Sequence, residues 1–523
     1  MALLLQNLVL DDRELSVIAA ECLSVPPGAV QSVEVVRRAL DARARVPTWR
    51  GNLRVEVGNE SEVLSRQLPG VRRWSERDQV RRTGVVPAAR PAWSRRPIVV
   101  GAGPAGLFAA LRLVEAGAPV LLLERGEATE ARVRRLAHDW RERRIDPESN
   151  LLFGEGGAGT FSDGKVYTRR RDGDLGWIFR QLVEAGADAS ILEESYAHIG
   201  TDRLRRILPV LRKRLLDGGA EVRFSSRVVD LVVHAGAVVG VRLATGEEIL
   251  GGPVIVGAGH SARDTVAMML RAGAAAEARP IAIGARVEHP QALVDKGLYP
   301  GGRGGLPAAS YRLAHNPSTG RSAYTFCMCP GGMVVPAGHE PGTVVVNGMS
   351  FAARSSLWAN SAVIAQVPVE DFGGAHPLAG HAYQSAIERA AYELSGSYAA
   401  PAQRVADFLA DRPSPAIQRT SFPHGVVPVE LSRLLPPPVV AAMKAALRSF
   451  DEKIPGFASN EGVLIAPETR TTSPVRFLRA TNRHSSTLPG LVPCGEGAGW
   501  GGGIISAAHD GFSVAESVIA GAS

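Results

Sequence analysis

The sequence predicts an α/β protein organised around a doubly wound, Rossmann-like sheet. Three times an apolar strand runs into a glycine-rich turn that opens a helix, at residues 96–106, 253–264 and 491–504. This order of strand, turn and helix is typical of parallel βαβ units. Alternating apolar and polar segments at residues 228–250, separated by glycine-containing turns, predict a β-meander between the first and second of these turns.

The first glycine turn has the spacing of a dinucleotide-binding motif. Gly101 permits the tight turn, Gly103 lets a pyrophosphate approach the backbone, and Gly106 lets the helix pack closely on the strand. Glu124 ends the next apolar strand, where its carboxylate is expected to accept hydrogen bonds from ribose hydroxyls. A carboxylate there would repel a 2′-phosphate, so FAD or NAD fits this motif better than NADP.

A second glycine-rich stretch, residues 153–165, carries too many glycines for an ordinary loop, because glycine loses more conformational freedom on folding than other residues. We interpret it as backbone lying against a flat or anionic ligand, with Thr160 and Ser162 donating hydrogen bonds. The alternative is a flexible surface loop, although Phe153 and Phe161 favour a packed one.

Two interpretations remain open for the glycine turn Gly257–Gly259. It is either a second site for a nicotinamide dinucleotide or the return strand of the first domain, whose glycines contact the same cofactor. We favour the return strand, because the preceding meander is too short to form a new domain. In addition, no βαβ unit with a suitably spaced acidic residue follows the turn.

The third turn, residues 491–504, favours FAD over NAD. Its amides, at the start of a further helix over Ile505–Val518, suit the ribityl and pyrophosphate oxygens and the charge of a reduced flavin ring. The residues expected to bind the cofactor are Gly101, Gly103, Pro104, Ala105, Gly106, Glu124, Arg125, Gly156, Gly157, Gly159, Thr160, Ser162, Val228, Gly257, Gly259, Gly495, Glu496, Gly502, Gly503 and Ile504.

The composition indicates a globular protein of two or three domains, since the 523 residues are 45% hydrophobic and 21% charged. Residues 61–96 hold nine arginines and three acidic residues, so this stretch carries most of the chain's net charge of +7. We interpret this stretch as a solvated basic linker, because no nucleic-acid-binding motif accompanies it. No apolar run reaches the length of a membrane span and no signal peptide opens the chain, so we expect a cytoplasmic protein.

Five segments are expected along the chain. Residues 1–60 form a small N-terminal α/β domain, because the strand Leu4–Leu10 is followed by an amphipathic helix over Asp12–Leu23. The other segments are the basic linker (61–96), the first part of the FAD-binding domain (97–280), an inserted α+β substrate domain (281–474) and the C-terminal part of the FAD-binding domain (475–523).

The nucleotide motif, the meander and the C-terminal Gly-Glu-Gly turn together resemble the glutathione reductase-type FAD flavoproteins. A narrower resemblance, over nearly the whole chain, is to a family of bacterial and plastid-type FAD-dependent dehydrogenases. The runs that carry it are Phe153–Lys165, His198–Asp202, Gly259–Thr265, Arg286–Pro290, Tyr324–Gly332 and Asn347–Ser350. The resemblance implies one FAD domain, discontinuous in sequence, with an inserted substrate domain. It supplies no substrate.

Candidate catalytic residues lie at the crossing from the FAD domain into the inserted domain. An arginine there would clamp a carboxylate, and a histidine would move a proton. The candidates are His260, Arg263, Arg286, Glu288 and His289, with Lys165 after the glycine-rich stretch. Structural ion pairs, Arg263 with Asp264 or Arg286 with Glu288, are the alternative.

The four cysteines lack the paired spacing of a zinc site, so we expect reduced thiols and no metal. Cys327 and Cys329 are expected to alternate along a strand and to point to opposite faces, which argues against a redox pair. Cys494 stands where a small residue such as alanine is expected, which leaves a redox role for this thiol as an alternative.

We therefore predict an FAD-dependent oxidoreductase that exchanges a hydride or electrons with a small-molecule substrate, with a separate electron donor or acceptor left open. The alternatives are a flavin-dependent monooxygenase or halogenase, and a flavin-bearing RNA-interaction protein that uses Arg72, Arg73, Arg81 and Arg82.

Overall fold

The computed structural model describes residues 2–42, 46–84, 86, 88–168, 170, 172 and 174–522, without the side chains of residues 80–83. The chain divides into two compact units. The first comprises residues 1–87, 165–199 and 298–304, and the second comprises residues 88–164, 200–297 and 305–523. Within the described residues, no helix is both long and apolar enough to cross a membrane.

The first unit contains an antiparallel sheet of order β2-β3-β1-β4, with an apolar core that includes Leu3, Leu5, Leu23, Leu53 and Val55. Its N-terminal elements are β1 (Ala2–Leu10), α1 (Leu15–Leu23), β2 (Val30–Asp41), β3 (Thr48–Val57), α2 (Glu60–Ser65), β4 (Val71–Arg73) and α3 (Glu76–Thr83).

The segment predicted as a basic linker begins too early at residue 61. Strand β4 pairs with β1 from Leu3–Arg73 to Leu5–Val71, so residues up to Arg73 complete the N-terminal sheet. The arginine-rich composition hid this strand because only Val71 in it is apolar. The side chains of Arg81 and Arg82 lie outside the described residues.

In the second unit, a five-stranded parallel sheet has the order β22-β11-β5-β6-β7. The elements from residue 98 to residue 271 are β5 (Ile98–Val100), α4 (Pro104–Glu115), β6 (Leu121–Leu123), α5 (Thr129–Glu142), α6 (Leu175–Glu184, in the first unit), α7 (Thr201–Asp217), β7 (Glu221–Arg223), β8 (Val228–His234), β9 (Ala237–Leu243), β10 (Glu248–Leu250), β11 (Val254–Val256) and α8 (Arg263–Arg271). Strands β8, β9 and β10 form the predicted meander.

The remaining chain builds an eight-stranded sheet, β14-β15-β17-β13-β20-β18-β19 with β16 paired to β15, and then returns to the parallel sheet. Its elements are β12 (Ala276–Ala278), β13 (Ile281–Pro290), α9 (Gln291–Leu298), β14 (Ala314–His315), β15 (Ala323–Pro336), β16 (Val346–Ser350), β17 (Trp358–Val367), α10 (Ala379–Ser395), β18 (Ala400–Arg404), α11 (Val405–Leu409), β19 (Val426–Pro428), α12 (Pro437–Asp451), β20 (Val463–Glu468), β21 (Val475–Phe477), β22 (Leu491–Pro493) and α13 (Ile504–Ala522).

Strand β11 lies between β5 and β22 in the parallel sheet. The turn Gly257–Gly259 therefore follows a strand of the same sheet as the first glycine turn, as the return-strand interpretation predicts, and contact of its glycines with the cofactor stays a prediction. Strand β12 pairs antiparallel with β21, so the chain leaves and re-enters this part of the molecule through adjacent strands.

Candidate functional site

All five strands of the parallel sheet end at one level, which places the loops that follow them side by side. The residues that share this last row of pairing are Arg223, Leu123, Val100, Val256 and Pro493. In open α/β sheets, ligands bind outside the carboxyl ends of the strands. The glycine turns that follow β5, β11 and β22 all begin at this edge of the sheet. Glu124 lies at the same edge, directly after β6.

Several glycines at this edge pack against backbone so closely that no side chain would fit. A Cβ on Gly106 would lie 1.9 Å from the carbonyl oxygen of Gly101, and one on Gly511 would lie 2.0 Å from that of Ala105. A Cβ on Gly495 would lie 2.5 Å from the Cβ of Ala105. The first turn of α4 is thus the point on which the turn after β22 and helix α13 converge.

Other glycines at the same edge leave open space. A Cβ on Gly259, Gly502 or Gly503 would meet nothing within 4 Å, and one on Gly103 would meet only the Cα of Gly157 at 3.9 Å. The first-turn amides of a helix have no partner within the helix and carry partial positive charge. A cradle with bare glycines and the N-termini of α4 and α13 fits the pyrophosphate of a dinucleotide.

Glu124 has a role that the sequence did not indicate. Its carboxylate is 4% exposed and accepts hydrogen bonds from the amides of Ala102 at 2.7 Å, Gly126 at 3.0 Å and Gly154 at 2.9 Å. These contacts tie the first glycine turn to the glycine-rich stretch. The carboxylate therefore shapes the cradle, in addition to the ribose contact that we predict for it.

The glycine-rich stretch is packed, with a 3₁₀ turn at Gly157–Phe161, and the buried guanidinium of Arg132 holds it. Arg132 donates to the carbonyl oxygens of Asn150 at 2.7 Å, Leu151 at 2.8 Å, Glu155 at 2.7 Å and Gly157 at 2.9 Å. Five donors in a rigid fork suit this task, which a lysine ammonium would not perform.

The hydroxyls of Thr160 and Ser162 do not point to a ligand as expected. Thr160 donates to the carbonyl oxygen of Glu155 at 2.9 Å, and Ser162 donates to that of Gly159 at 2.8 Å. Both hydroxyls stabilise the stretch itself, because short polar side chains readily bond to nearby backbone. Gly159 lies beside the start of α13, where its Cβ would be 3.2 Å from Cγ1 of Ile504.

A cleft of about 510 Å³ opens beside the ends of β6 and β7. Arg125 lines it, forms ion pairs with Glu148 at 2.8 Å and Asp264 at 3.0 Å, and stacks over Phe153. The other lining residues include Gly126, Ser225, Ser226, Arg227, Ala244 and Thr245. The side chain of Val228 belongs to the core of the meander, so only its backbone is available to a ligand.

Arg263 does not form the structural ion pair with Asp264 that the sequence analysis gives as the alternative to a catalytic role. Its guanidinium donates to Glu388 at 2.9 and 3.1 Å and to Glu340 at 3.0 Å. Arg470 donates to the same Glu388 at 2.6 and 3.0 Å. Glu388 is fully buried between the two guanidinium groups, which hold its pKa at about 2 against the effect of burial.

Three histidines surround this pair of arginines. The half-buried His260 has its Nδ1 3.9 Å from Glu496, whose other oxygen accepts from the amide of Gly503 at 3.3 Å. His339 accepts from Arg470 at Nδ1, which makes the ring neutral with its proton on Nε2. His381 is 4% exposed and lies within electrostatic reach of both arginines. We call His260, Arg263, His339, His381, Glu388 and Arg470 the polar cluster.

The other candidates on β13 are structural in their contacts. Arg286 is fully buried and pairs with Glu468 at 2.7 Å, not with Glu288. Glu288 accepts from the amide and hydroxyl of Ser421, and burial raises its pKa to about 7. His289 bonds to the carbonyl oxygen of Phe457 at 2.8 Å, and burial lowers its pKa to about 4.

Lys165 is half-buried, and its backbone forms an isolated antiparallel β-bridge with His198. It belongs to the first unit, whereas the polar cluster belongs to the second. The structure does not bring Arg286, Glu288 and His289 into the polar cluster through any contact among the described residues. Of the predicted catalytic residues, only His260 and Arg263 belong to it.

The cysteine geometry differs from the sequence prediction. Strand β15 bulges between Phe326 and Cys329, and Cys327 has a φ of 48°, so simple alternation to opposite faces is wrong here. The Cys329 thiol donates to the carbonyl oxygen of Cys327 at 3.3 Å. Cys494 is buried, and burial together with Asp510 raises its thiol pKa well above the ordinary value, which opposes thiolate chemistry.

Comparisons with known proteins identify the class to which this site belongs. Residues 96–258 match the family "FAD binding domain", and residues 280–471 match "FAD-dependent protein, C-terminal domain-like". With the dinucleotide cradle, these matches define an FAD-dependent oxidoreductase whose cofactor is FAD.

A protein of Clostridium beijerinckii is 39% identical over 523 residues, which cover 98% of this chain and 97% of the relative. The chain belongs to the same protein family as this relative. Among solved structures, a geranylgeranyl bacteriochlorophyll reductase-like protein of Thermoplasma acidophilum is 14% identical, covering 82% of this chain and 79% of that chain with a TM-score of 0.35. A 3-ketosteroid-Δ4-(5α)-dehydrogenase of Rhodococcus jostii is 13% identical, covering 84% and 99% with a TM-score of 0.35.

Proposed function

We propose that the protein is a dehydrogenase of the glutathione reductase-type arrangement, with FAD held by residues 97–280 and 475–523 and a small-molecule substrate held by residues 281–474. Bound FAD supplies the hydride and electron chemistry at its N5 position. The polypeptide binds and orients the cofactor, excludes water and supplies the groups that hold or move protons at the substrate.

The observation that carries this proposal is the convergence of three strand ends and two helix N-termini on one set of bare glycines. Gly103, Gly259, Gly502 and Gly503 leave open space at the carboxyl edge of the sheet. The predicted cofactor residues of all three turns lie at this edge. A phosphate there would receive amide hydrogen bonds from the start of α4, as in other nucleotide-binding sheets.

On the substrate side, His260 is the residue that we propose to move a proton. It follows the turn at Gly259, and its Nδ1 faces Glu496 beside the third glycine turn. Its buried Nε2 has no hydrogen-bond partner among the described residues. Arg263 acts as a positioning residue, because its contacts with Glu388, Glu340 and Ser385 engage its guanidinium.

Neither alternative function gains support from a specific contact. For the RNA-interaction alternative, Arg72 forms a two-pronged ion pair with Asp78 at 2.7 and 2.9 Å, and Arg73 pairs with Glu60 at 3.1 Å. Arginines engaged in this way neutralise part of the basic stretch. For a monooxygenase or halogenase, no geometry among the described residues distinguishes the site from that of a dehydrogenase.

The test replaces Gly103 by valine. The protein has room for the side chain, so the variant is expected to fold, but the new methyl groups occupy the path of the pyrophosphate. Purified wild-type protein is expected to be yellow and to release about one FAD per chain on denaturation. The variant is expected to lack flavin while keeping its far-ultraviolet circular dichroism.

Gly305→Val serves as the matched control, because a Cβ at Gly305 meets nothing within 4 Å and Gly305 lies far along the chain from the glycine turns. It is expected to keep a full complement of FAD. A Gly103→Val variant that binds FAD as tightly as the wild type would overturn the placement of the pyrophosphate.

A further inference from the structure

The glycine-rich stretch, residues 153–164 of the second unit, connects the cofactor cradle to the eight-stranded sheet. Near its start, Gly157 lies at the open space over Gly103, because its Cα is 3.9 Å from where a Cβ on Gly103 would be. At its end, Asp163 contacts the last residue of β16 and the loop that follows this strand. One continuous segment therefore touches both the proposed position of the pyrophosphate and the proposed substrate domain.

Asp163 holds this second contact through a buried ion pair. Its carboxylate is 1% exposed and accepts two hydrogen bonds from the guanidinium of Arg354, one of them from Nε at 3.0 Å. It also accepts from the hydroxyl of Ser350, which ends β16. Two bonds from one guanidinium fix the orientation of both groups. Arg354 lies in the connection between β16 and β17, residues 351–357, which we call the β16–β17 loop.

The backbone of Arg354 has a conformation that arginine rarely adopts. Its φ is 46°, in the left-handed region, where the Cβ atom crowds the following carbonyl group. Its carbonyl oxygen packs on Gly331 of β15 so closely that a Cβ there would lie 1.8 Å from it. Such a conformation persists only where the surrounding contacts hold it. The ion pair with Asp163 is a contact of this kind, so its loss would let the loop relax to another conformation.

We propose that Asp163 is a positioning residue that couples the binding of FAD to the conformation of the β16–β17 loop. When FAD lies against the glycine-rich stretch, the stretch is fixed, and Asp163 keeps Arg354 in its left-handed conformation. When FAD is absent, the stretch loosens and Arg354 leaves the carboxylate. This inference rests on the proposed function, because the loop belongs to the proposed substrate domain. The substrate domain is therefore fully organised only in the FAD-loaded enzyme. Since coupling is reciprocal, the ion pair also strengthens FAD binding.

Limited proteolysis with trypsin measures the state of this ion pair. Trypsin must take an arginine side chain into its own acidic pocket before it cuts the following peptide bond. The neighbours Ala353 and Ser355 are exposed, whereas the side chain of Arg354 is 14% exposed and paired with Asp163. Cleavage after Arg354 therefore requires that the ion pair has opened.

The holoprotein is compared with apoprotein prepared by dialysis against potassium bromide and with apoprotein to which FAD is returned. We expect the apoprotein to be cut after Arg354 about tenfold faster than the holoprotein, which corresponds to about 1.4 kcal/mol. Returned FAD is expected to restore the slow rate. Equal rates after Arg354 with and without FAD would overturn the proposal.

Arg419 provides the control bond in the same digests. It is exposed in the connection between α11 and β19, and its side chain forms no hydrogen bond or ion pair among the described residues. Its cleavage is expected to be unaffected by FAD. Equal acceleration after Arg354 and after Arg419 in the apoprotein would show general loosening of the chain, and it would also overturn the proposal.

Asp163→Asn removes the charge of the carboxylate and keeps its shape. We expect this variant to be cut rapidly after Arg354 with or without FAD, and to bind FAD about tenfold more weakly, as reciprocal coupling requires. Asp202→Asn is the matched control, because Asp202 accepts a hydrogen bond from the amide of Ala352 at 2.8 Å in the same loop, which asparagine can also accept. The control is expected to match the wild type. Slow cleavage of the Asp163→Asn holoprotein would contradict the proposal.

Arg354→Lys decides the matter where the Asp163 variant fails to fold. Trypsin also cuts after lysine, and an ammonium group lacks the planar fork that forms two parallel bonds to a carboxylate. The holoprotein of this variant is expected to be cut faster at residue 354 than the wild type, and an unchanged rate would overturn the proposal.

Flavin absorbance separates this proposal from the proposed function. Protein that never binds FAD contradicts both, whereas yellow protein whose cleavage after Arg354 is independent of FAD contradicts only the coupling. FAD-dependent protection of Arg354, together with a Gly103→Val variant that binds FAD as tightly as the wild type, supports the coupling and contradicts only the placement of the pyrophosphate.

Discussion

Replacing Glu288 by glutamine is expected to stabilise the protein at pH 8 and to have little effect at pH 5. The carboxyl group is 1% exposed and hydrogen-bonded only to Ser421 among the described residues, and burial raises its pKa from 4.5 to about 7. Between these values the native protein keeps a proton that the unfolded chain has released. Stability therefore falls as the pH rises through this window.

The magnitude follows from the shift of about 2.5 units, which at 1.36 kcal/mol per unit amounts to about 3 kcal/mol at pH 8. Glutamine is neutral at both pH values and can accept from the Ser421 amide while donating to its hydroxyl, so it removes the penalty. For a cooperative unit of about 400 residues, about 3 kcal/mol corresponds to about 4 °C in Tm.

Differential scanning calorimetry of the wild type and Glu288→Gln at pH 5, 6, 7 and 8 measures this effect. The exposed Glu461 provides the matched control, and Glu461→Gln is expected to show no pH-dependent difference. A Tm difference that stays constant from pH 5 to pH 8 would refute the reasoning, because it would show that Glu288 holds the same charge in the native and unfolded states.

Three further predictions concern the cradle and the thiols. Arg132→Met is expected to lose FAD and about 3 kcal/mol of stability, because four carbonyl oxygens lose their donor. Flavin content and amide exchange at residues 150–160 measure the loss, and a variant that keeps its full flavin content would contradict the prediction. Glu124→Ala is expected to weaken FAD binding and also to destabilise the unliganded protein by about 1–3 kcal/mol, since three amides lose their acceptor. Unchanged stability of the apoprotein would contradict the structural role of Glu124 and leave only its predicted contact with the ribose. The double variant Cys327→Ser and Cys329→Ser is expected to keep its flavin and to take up two electrons per FAD in an anaerobic titration, whereas uptake of four by the wild type alone would establish a redox pair.

The parallel sheet was predictable from sequence because its signals are local. Three of its five strands, β5, β11 and β22, are short apolar runs followed by a glycine turn, as at Val99–Gly101 and Ile255–Gly257, so a window of ten residues contains the evidence. The return of β11 to the first domain was predicted from the short meander and the lack of a further βαβ unit, whereas its position beside β5 comes from the structure. Strand β4 was missed because its two arginines conceal the pattern, and only its pairing with β1 reveals it.

The ion-pair partners of the catalytic candidates could not be predicted from sequence, because neighbours in sequence are often not neighbours in space. Arg263 and Asp264 are adjacent along the chain, yet Arg263 pairs with Glu388 of α10 while Asp264 pairs with Arg125. Arg286 likewise finds its partner in Glu468, on the neighbouring strand β20. These partners lie more than 100 residues away, and nothing in a short sequence window indicates them.

One signal for the polar cluster was present in the sequence and was not used. In α10 the residues His381, Gln384, Ser385 and Glu388 repeat at the spacing at which a packed helix normally places apolar residues. Sequence alone does not distinguish a buried polar stripe from a solvated face, because both have the same periodicity. The distinction comes from burial: all four side chains are enclosed, and the partners of Gln384, Ser385 and Glu388 come from the start of α8 and from the loop that follows β20. Within this stripe, His381 differs from the other three side chains, because both of its ring nitrogens lack a hydrogen-bond partner among the described residues.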